Sequence, residues 1–247
     1  MATKKVIPIK PLAAWSFSRY STYTECPLKI KFTAIDRLKE PGNAAMERGN
    51  NIHNMAEQYI KGVMKSLPPE LNKFKADFTM LKKLYKKDPS AMVVEDNWAF
   101  TKDWDETQWD NWTKCYVRIK LDCAHHEDAT TLIVSDWKTG KFREDQNAKY
   151  LEQLELYALA ALMLHPHIEV VKPRLVYLDL GITFPGVGQA VLEYKRADIP
   201  KLQKVWDGRT RAMMNDTMFA PRPNNNCRWC YFGESGKAKG GPGLCKY

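Results

Sequence analysis

Apolar and polar residues recur with a helical period in the first third of this chain and alternate as in strands in its middle. The predicted helices span 16–38, 43–65, 69–87, 147–165 and 199–216. The predicted strands span 91–100, 114–124, 130–138, 174–180 and 188–195. From position 220 onward the chain is rich in Pro, Asn and Gly and has no period. This order predicts an α/β fold, in which a central mixed sheet is flanked by helices.

The predicted strand over 130–138 ends with an acid and a base on one face. Successive side chains of a strand point to opposite faces, so Asp136 and Lys138 share a side. In the preceding strand, Ile119 and Leu121 face the core and Asp122 belongs to the opposite, polar face. A short turn joins the two strands, which predicts an antiparallel hairpin with Asp122 near Asp136 and Lys138. Carboxylate oxygens are preferred ligands of Mg²⁺ and Mn²⁺; the alternative is a solvated strand end with a weak ion pair.

The composition favours a folded protein that binds a polyanion. The chain has 247 residues, 44% of them hydrophobic, with a net charge of +9 and a pI near 9.1. Nucleic acid is the commonest polyanionic partner of a basic protein, although a basic surface that serves solubility is also common. Pro8 and Pro11 interrupt the N-terminus, which argues against a signal peptide, and no window has the apolar length of a membrane span. We therefore expect an intracellular, cytoplasmic protein without a membrane partner.

Five motifs follow one another along most of the chain. They are SFSRYSTYTECP at 16–27, RGNNIHNMAE at 48–57, Asp122 with the D-x-K of 136–138, QLELY at 153–157 and CRWC at 227–230. In this order they resemble the PD-(D/E)XK nuclease superfamily, in its RecB-like branch of AddB-type and CRISPR-adaptation-type exonucleases. The resemblance implies a restriction-endonuclease-like core. One position departs from the family pattern, since Ile119 stands where the family usually has Gly; its place on the core face tolerates a side chain.

The resemblance assigns roles that the spacing alone leaves open. The implied ligands of Mg²⁺ or Mn²⁺ are His53, Asp122, Asp136 and the main-chain carbonyl of Trp137. Lys138 would activate water or stabilise charge on the phosphate. Gln153 and Tyr157 lie four residues apart on a helix. Gln153 would position Lys138 or a phosphate, and Tyr157 would contact a phosphate or a base. Glu57 would orient His53 without binding the metal ion itself. Without the resemblance, His53 reads as a structural residue, Tyr157 equally as a core residue, and Glu57 and Gln153 as exposed ones.

The six cysteines fall into two groups. Cys115 and Cys123 alternate with polar residues in a strand, so we expect them in the core as inert thiols. The other four are Cys26, Cys227, Cys230 and Cys245. The resemblance implies that these four bind a [4Fe–4S] cluster that ties the chain ends together, and Zn²⁺ is the alternative. Four tryptophans crowd 98–112; some would stack on unpaired bases, but neighbouring acids favour packing against the sheet.

These observations predict a metal-dependent DNA exonuclease that acts at DNA ends or in single strands, in recombination, repair or replication. The alternative is a catalytically inactive nucleic-acid-binding module of the same fold. A helicase, a recombinase or a single-strand-binding protein would be a partner that delivers the DNA. We expect one compact unit in three parts: an N-terminal helical region, 1–90, with Cys26 and His53; the nuclease core, 91–219; and a cysteine-rich segment, 220–247.

Overall fold

The computed structural model describes residues 11–247. Its helices are α1 (Phe17–Glu25), α2 (Pro27–Ile30), a π-helical turn (Lys31–Ile35), α3 (Ala44–Ile60), α4 (Lys75–Lys87), α5 (Asn147–Leu164) and α6 (Ile199–Met214). Its strands are β1 (Met92–Phe100), β2 (Val117–His126), β3 (Thr131–Lys138), β4 (Val170–Tyr177), β5 (Ile182–Phe184) and β6 (Tyr194–Lys195). Short 3₁₀ turns lie at Pro69–Phe74, Pro89–Ala91, Glu144–Gln146, Arg196–Asp198, Asn225–Trp229 and Glu234–Lys239.

The strands form one mixed sheet in the order β1–β2–β3–β4–β5, with β6 also paired to β4. The β1–β2 and β2–β3 pairs are antiparallel, which confirms the predicted hairpin, and β3 runs parallel to β4. A parallel pair needs a long crossover, and α5 supplies it. The end of β3 therefore lies near the first half of β2, next to α5.

Helices cover both faces of the sheet. One hydrophobic cluster joins α1, α5 and α6 to the sheet through residues that include Trp15, Leu121 and Trp206. A second cluster joins α3 and α4 to the other face, around Phe78 and Trp137. The predicted N-terminal helical region is thus divided between the two faces, and the three-part division of the chain stays a prediction.

Local sequence features set the start of α3 and the end of α1. Asn43 caps α3, where its side chain accepts a hydrogen bond from the backbone N–H of Met46 at 2.9 Å. The predicted helix over 16–38 is wrong as a continuous element, because the chain is extended at Cys26 and a new helix begins at Pro27. Proline lacks an N–H and fits the first turn of a helix, so a break at this point costs little.

The second half of the sheet differs from the sequence-based prediction. The strand predicted over 188–195 is reduced to Tyr194–Lys195, and a strand at Ile182–Phe184 was not predicted. Proline and glycine at 185–188 form a turn directly after β5, which ends the pairing with β4. The prediction about a signal peptide concerns residues 1–10, which lie outside the described residues. Between residues 11 and 247, no helix has both the length and the apolar character needed to cross a membrane.

Candidate active site

A cavity of about 390 Å³ opens between α3 and α5, where β2 and β3 stop pairing with each other. Its lining is Asn50, His53, Asn54, Glu57, Glu95, Lys120, Asp122, Asp136, Trp137, Lys138, Gln153 and Tyr157. Every residue that the sequence suggests for catalysis or divalent-metal binding lies in this lining. Residues from positions 50 to 157 of the chain are therefore brought to one place by the sheet and two helices.

The strands β2 and β3 separate at the cavity. Their pairing runs from His126–Leu132 to Cys123–Ser135 and stops there. Beyond that point, the Asp122 carboxylate accepts a hydrogen bond from the backbone N–H of Trp137 at 2.5 Å, in place of a strand partner. This bond holds Asp122 at the mouth of the gap and satisfies a buried backbone donor.

The side-chain alternation of β2 shifts by one residue after Asp122. Ile119 and Leu121 pack in the hydrophobic cluster that contains α1, α5 and α6. Cys123 packs in the cluster on the other face, with α3 and α4, and Ala124 packs again in the first cluster. The predicted continuous core face from Cys115 to Cys123 is therefore wrong beyond Leu121, although both cysteines are buried as expected. Asp122, which follows Leu121, keeps its expected direction toward α3, where its Oδ1 lies 3.3 Å from His53 Nδ1, and the shift carries Cys123 to the same side.

His53 projects from α3 and contacts three oxygens. Its Nδ1 is 3.3 Å from both Glu95 Oε1 and Asp122 Oδ1, and its Nε2 is 3.0 Å from the carbonyl oxygen of Trp137. Burial lowers the pKa of His53, but the hydrogen bonds that it donates to Asp122 and Glu95 outweigh burial and raise the pKa to about 10. Without a metal ion, His53 is therefore an imidazolium that donates through both nitrogens.

Asp136 lies on the α5 side of the cavity and is held by neutral donors and a lysine. Its Oδ1 accepts hydrogen bonds from Tyr157 Oη at 3.1 Å and Gln153 Nε2 at 3.3 Å. Gln153 also donates to Tyr157 Oη at 2.9 Å, so the two α5 residues act as one unit. The other oxygen, Oδ2, is 2.5 Å from Lys138 Nζ. Burial and then the charge of Asp136 raise the pKa of Tyr157 well above its ordinary value, so it stays a phenol.

Two carboxylates and a lysine share this buried space. Burial and then the charge of Asp136 raise the pKa of Asp122 to about 6, against the opposing effect of His53. Burial lowers the pKa of Lys138, but the charges of Asp136 and Asp122 outweigh it and raise the pKa. The lysine is thus held as an ammonium ion beside the carboxylates.

Glu95, which the sequence offers only as a further possible acid on the strand before Asp122, completes a group with His53 and Asp122. One donor atom from each of His53, Glu95 and Asp122 lies within 4.8 Å of the other two, and in residues 11–247 this is the one such group that could hold a metal ion. Glu95 has a φ of 52°, the left-handed region that few side chains adopt. An acid within the strand that precedes β2 is the signal in the sequence, but the pattern does not show that the backbone turns at this residue.

Glu57 lies in the cavity lining without contacting His53 through a hydrogen bond. Its Oε1 is 2.5 Å from Lys61 Nζ, one helical turn further along α3. The nitrogens of His53 are oriented instead by Glu95, Asp122 and the Trp137 carbonyl. The orientation of His53 by Glu57 therefore stays a prediction, and no hydrogen bond between the two residues supports it.

Two contacts fix α3 against the sheet at this point. Arg48 forms a two-bond ion pair with Asp179, just after β4, at 2.7 and 2.8 Å. A Cβ on Gly49 would lie 3.1 Å from Thr139 Oγ1, in the turn after Lys138. The small residue lets α3 approach that turn, which brings His53 close to Asp122.

The four remaining cysteines are half-buried free thiols at the meeting point of the chain ends. Asn224 Nδ2 donates to the carbonyl of Glu25 at 3.0 Å, beside Cys26, and the rings of Phe32 and Phe232 are 5.2 Å apart. Cys245 N–H donates to the Phe232 carbonyl at 3.0 Å. No three of these thiols lie within 4.8 Å of one another in the described chain. One tetrahedral Zn²⁺ would set its thiolates about 3.8 Å apart.

Comparisons with known proteins add one clear match. The family model of the PD-(D/E)XK nuclease superfamily matches residues 14–235. No curated protein matches the sequence closely. The crystal structure of a protein named SSO0001 is similar at 13% identity and a TM-score of 0.41, over 94% of this chain and 86% of the other. A protein of Eubacterium rectale, provisionally named as an exonuclease, is 9% identical with a TM-score of 0.42, over 88% of this chain and 86% of its own. The predicted restriction-endonuclease-like fold is confirmed by the family match together with the mixed sheet and its flanking helices.

Proposed function

This chain belongs to the PD-(D/E)XK nuclease superfamily, and on that premise we propose that it is a divalent-metal-dependent DNA exonuclease of the RecB-like branch. It would hydrolyse phosphodiester bonds at DNA ends or in single strands, in recombination, repair or replication. One observation carries the proposal: Asp122, Asp136 and Lys138 line a single cavity with His53. Two acids and a cation in one buried space serve phosphate chemistry better than they serve stability.

The donor set suits Mg²⁺ or Mn²⁺. Asp136 Oδ2 and Glu95 Oε1 are buried oxygens without a well-directed hydrogen bond, and each is held by an ion pair alone. His53, Glu95 and Asp122 would hold the ion, with Asp136 and the Trp137 carbonyl adjoining them. When bound, the ion would polarise water and neutralise charge on the phosphate.

Lys138 would act as a fixed cation. Its raised pKa keeps the ammonium form, which favours stabilising negative charge on phosphate oxygens over removing a proton from water. Gln153 and Tyr157 would be positioning residues, because they hold Oδ1 of Asp136 and leave Oδ2 toward Lys138.

The cysteine group would hold a [4Fe–4S] cluster. Each ligand of such a cluster binds a separate iron, so its thiolates stand further apart than those around one Zn²⁺. The cluster would brace the N-terminal helical region, 1–90, and the segment 220–247 around the core, 91–219. Iron and sulfide analysis of anaerobically purified protein tests this, and colourless protein containing only zinc would contradict it.

Cleavage of end-labelled single-stranded DNA with Mg²⁺ or Mn²⁺ tests the nuclease. We expect Asp136→Asn and Lys138→Met to lose at least a hundredfold in rate, because each removes a charge that acts on the reacting phosphate. Asp145→Asn and Lys141→Met are matched controls, since both residues are exposed outside the cavity lining.

Equal rates in wild type and both site variants would overturn the assignment. DNA binding without cleavage by any metal would favour the inactive binding module instead. Release of mononucleotides from one end identifies an exonuclease, whereas internal cuts in a closed circular single strand would contradict that part of the proposal.

A further inference from the structure

A second cavity, of about 330 Å³, adjoins the catalytic cavity. Its lining is Trp15, Ser16, Phe17, Ser18, Arg19, Trp109, Arg118, Ile119, Lys120, Gln153 and Tyr157. Three of these residues, Lys120, Gln153 and Tyr157, also line the catalytic cavity. A nucleic-acid strand bound across Asp136 would therefore continue from one cavity into the other.

The charge of this second cavity is uncompensated. Arg19, Arg118 and Lys120 line it, and the lining contains no carboxylate. Arg19 Nη1 donates to the Ala14 carbonyl at 2.7 Å, a neutral partner. Burial and then the charge of Arg118 lower the pKa of Arg19, because two guanidinium groups repel each other in a poorly solvated space. An anion entering the cavity would relieve that repulsion.

The walls offer flat apolar surfaces as well as charge. Arg118 lies between two indoles, with its guanidinium carbon 4.5 Å from the ring centre of Trp109 and 3.9 Å from that of Trp112. Arg118 also donates to the Trp109 carbonyl, so the stack is fixed by a hydrogen bond. Trp109 lines the cavity beside Trp15 and Phe17. Aromatic faces next to guanidinium groups are the usual components of a nucleotide site.

We infer that this second cavity binds one unpaired nucleotide of the DNA strand whose neighbouring phosphate lies at Asp136 and Lys138. The phosphate of that nucleotide would contact Arg19 and Lys120, and its base would lie against Trp109. The volume suits a ligand of nucleotide size, and a paired nucleotide would have to bring its partner strand into the same space. The inference rests on the proposed nuclease function and deepens it, since it makes a single strand the substrate.

Binding without cleavage tests the site separately from the chemistry. The full chain is titrated with a short fluorescent oligothymidylate in EDTA, over a series of salt concentrations. We expect Arg19→Gln and Lys120→Gln each to weaken binding about tenfold and to reduce the salt slope by about 0.7, the value for one phosphate contact on a single strand. Arg19→Lys should keep the slope because it keeps the charge. Arg211→Gln on α6, an exposed arginine outside both cavities, should change neither quantity.

The outcomes separate this site from the nuclease function. If Lys120→Gln and Arg19→Gln bind with wild-type affinity and slope, the nucleotide site is refuted, while cleavage that depends on Mg²⁺ and Lys138 still stands. A blunt duplex that competes as well as the single strand also refutes it. Thermal melting accompanies each titration; if Arg19→Gln fails to fold, the result for exposed Lys120 decides.

Discussion

Removing one oxygen from Tyr157 tests how strongly α5 controls the orientation of Asp136, to which we assign a part in metal binding. In Tyr157→Phe, Asp136 Oδ1 loses the hydrogen bond from Tyr157 Oη at 3.1 Å and keeps the weaker one from Gln153 at 3.3 Å. Gln153 loses its own acceptor at the same time. Asp136 is then free to rotate toward Lys138, and its orientation relative to a bound metal ion is no longer fixed.

The expected loss follows from the energy of one hydrogen bond to a charged group. Such a bond contributes about 1.5–3 kcal/mol, and a tenfold change in rate corresponds to about 1.36 kcal/mol. If the bond acts fully on the reaction, kcat/KM for single-stranded DNA falls by about 10- to 150-fold. Loss of a group that orients a metal ligand also weakens metal affinity by about 10- to 100-fold. The metal concentration that gives half-maximal activity should rise accordingly.

Tyr23→Phe is the matched control. Tyr23 Oη donates to Asp216 Oδ2 at 2.7 Å, so this variant also loses a bond from a tyrosine to an aspartate, away from both cavities. Both variants should lose similar free energy of unfolding in urea, and only Tyr157→Phe should lose activity. Wild-type kcat/KM and an unchanged metal titration for Tyr157→Phe would refute the reasoning, because the hydroxyl would then have no part in orienting Asp136.

Three further predictions concern other parts of the molecule. Glu95→Gln should raise the Mg²⁺ concentration for half-maximal cleavage by about 10- to 100-fold, and an unchanged metal titration would remove Glu95 from the site. Trp206→Ala should lower the free energy of unfolding by about 3–5 kcal/mol in urea, because this fully buried ring stacks on Trp15 at 5.6 Å; a loss below 1 kcal/mol, on the order of a surface change, would contradict the packing. Burial and then Arg174 lower the pKa of His125 from 6.5 to about 4, so the unfolded chain binds that proton more readily. Stability should therefore fall by about 3 kcal/mol as the pH drops from 6.5 to 4, and His125→Asn, measured by urea unfolding across that window, should lose this share of the slope.

Packing decided which tryptophans are available for contact with a ligand. Trp98 and Trp104 are buried, as the prediction of packing against the sheet requires. Trp112 is 66% exposed, and with Trp109 it encloses Arg118. The sequence shows four similar residues in one segment, and only their contacts with the rest of the chain separate two core residues from two that stack on Arg118.

The sequence by itself determined the elements that depend on local patterns. The hairpin of β2 and β3 follows from alternation and a short turn, and it brings Asp122 toward Asp136 because paired strands keep a fixed register. The four-residue spacing of Gln153 and Tyr157 likewise places both on one face of α5, where they bond to each other and to Asp136.

Only the tertiary structure decided which groups complete the site. The Asp122 carboxylate accepts from the backbone N–H of Trp137 because β2 and β3 no longer pair there, and Glu95 joins His53 because its backbone turns into the left-handed region. Both events depend on α3 lying close to the sheet, which the Arg48–Asp179 pair and the small Gly49 permit. A periodic pattern records the average direction of side chains along an element, and it carries no information about a single residue whose direction is set by contacts from elsewhere in the chain.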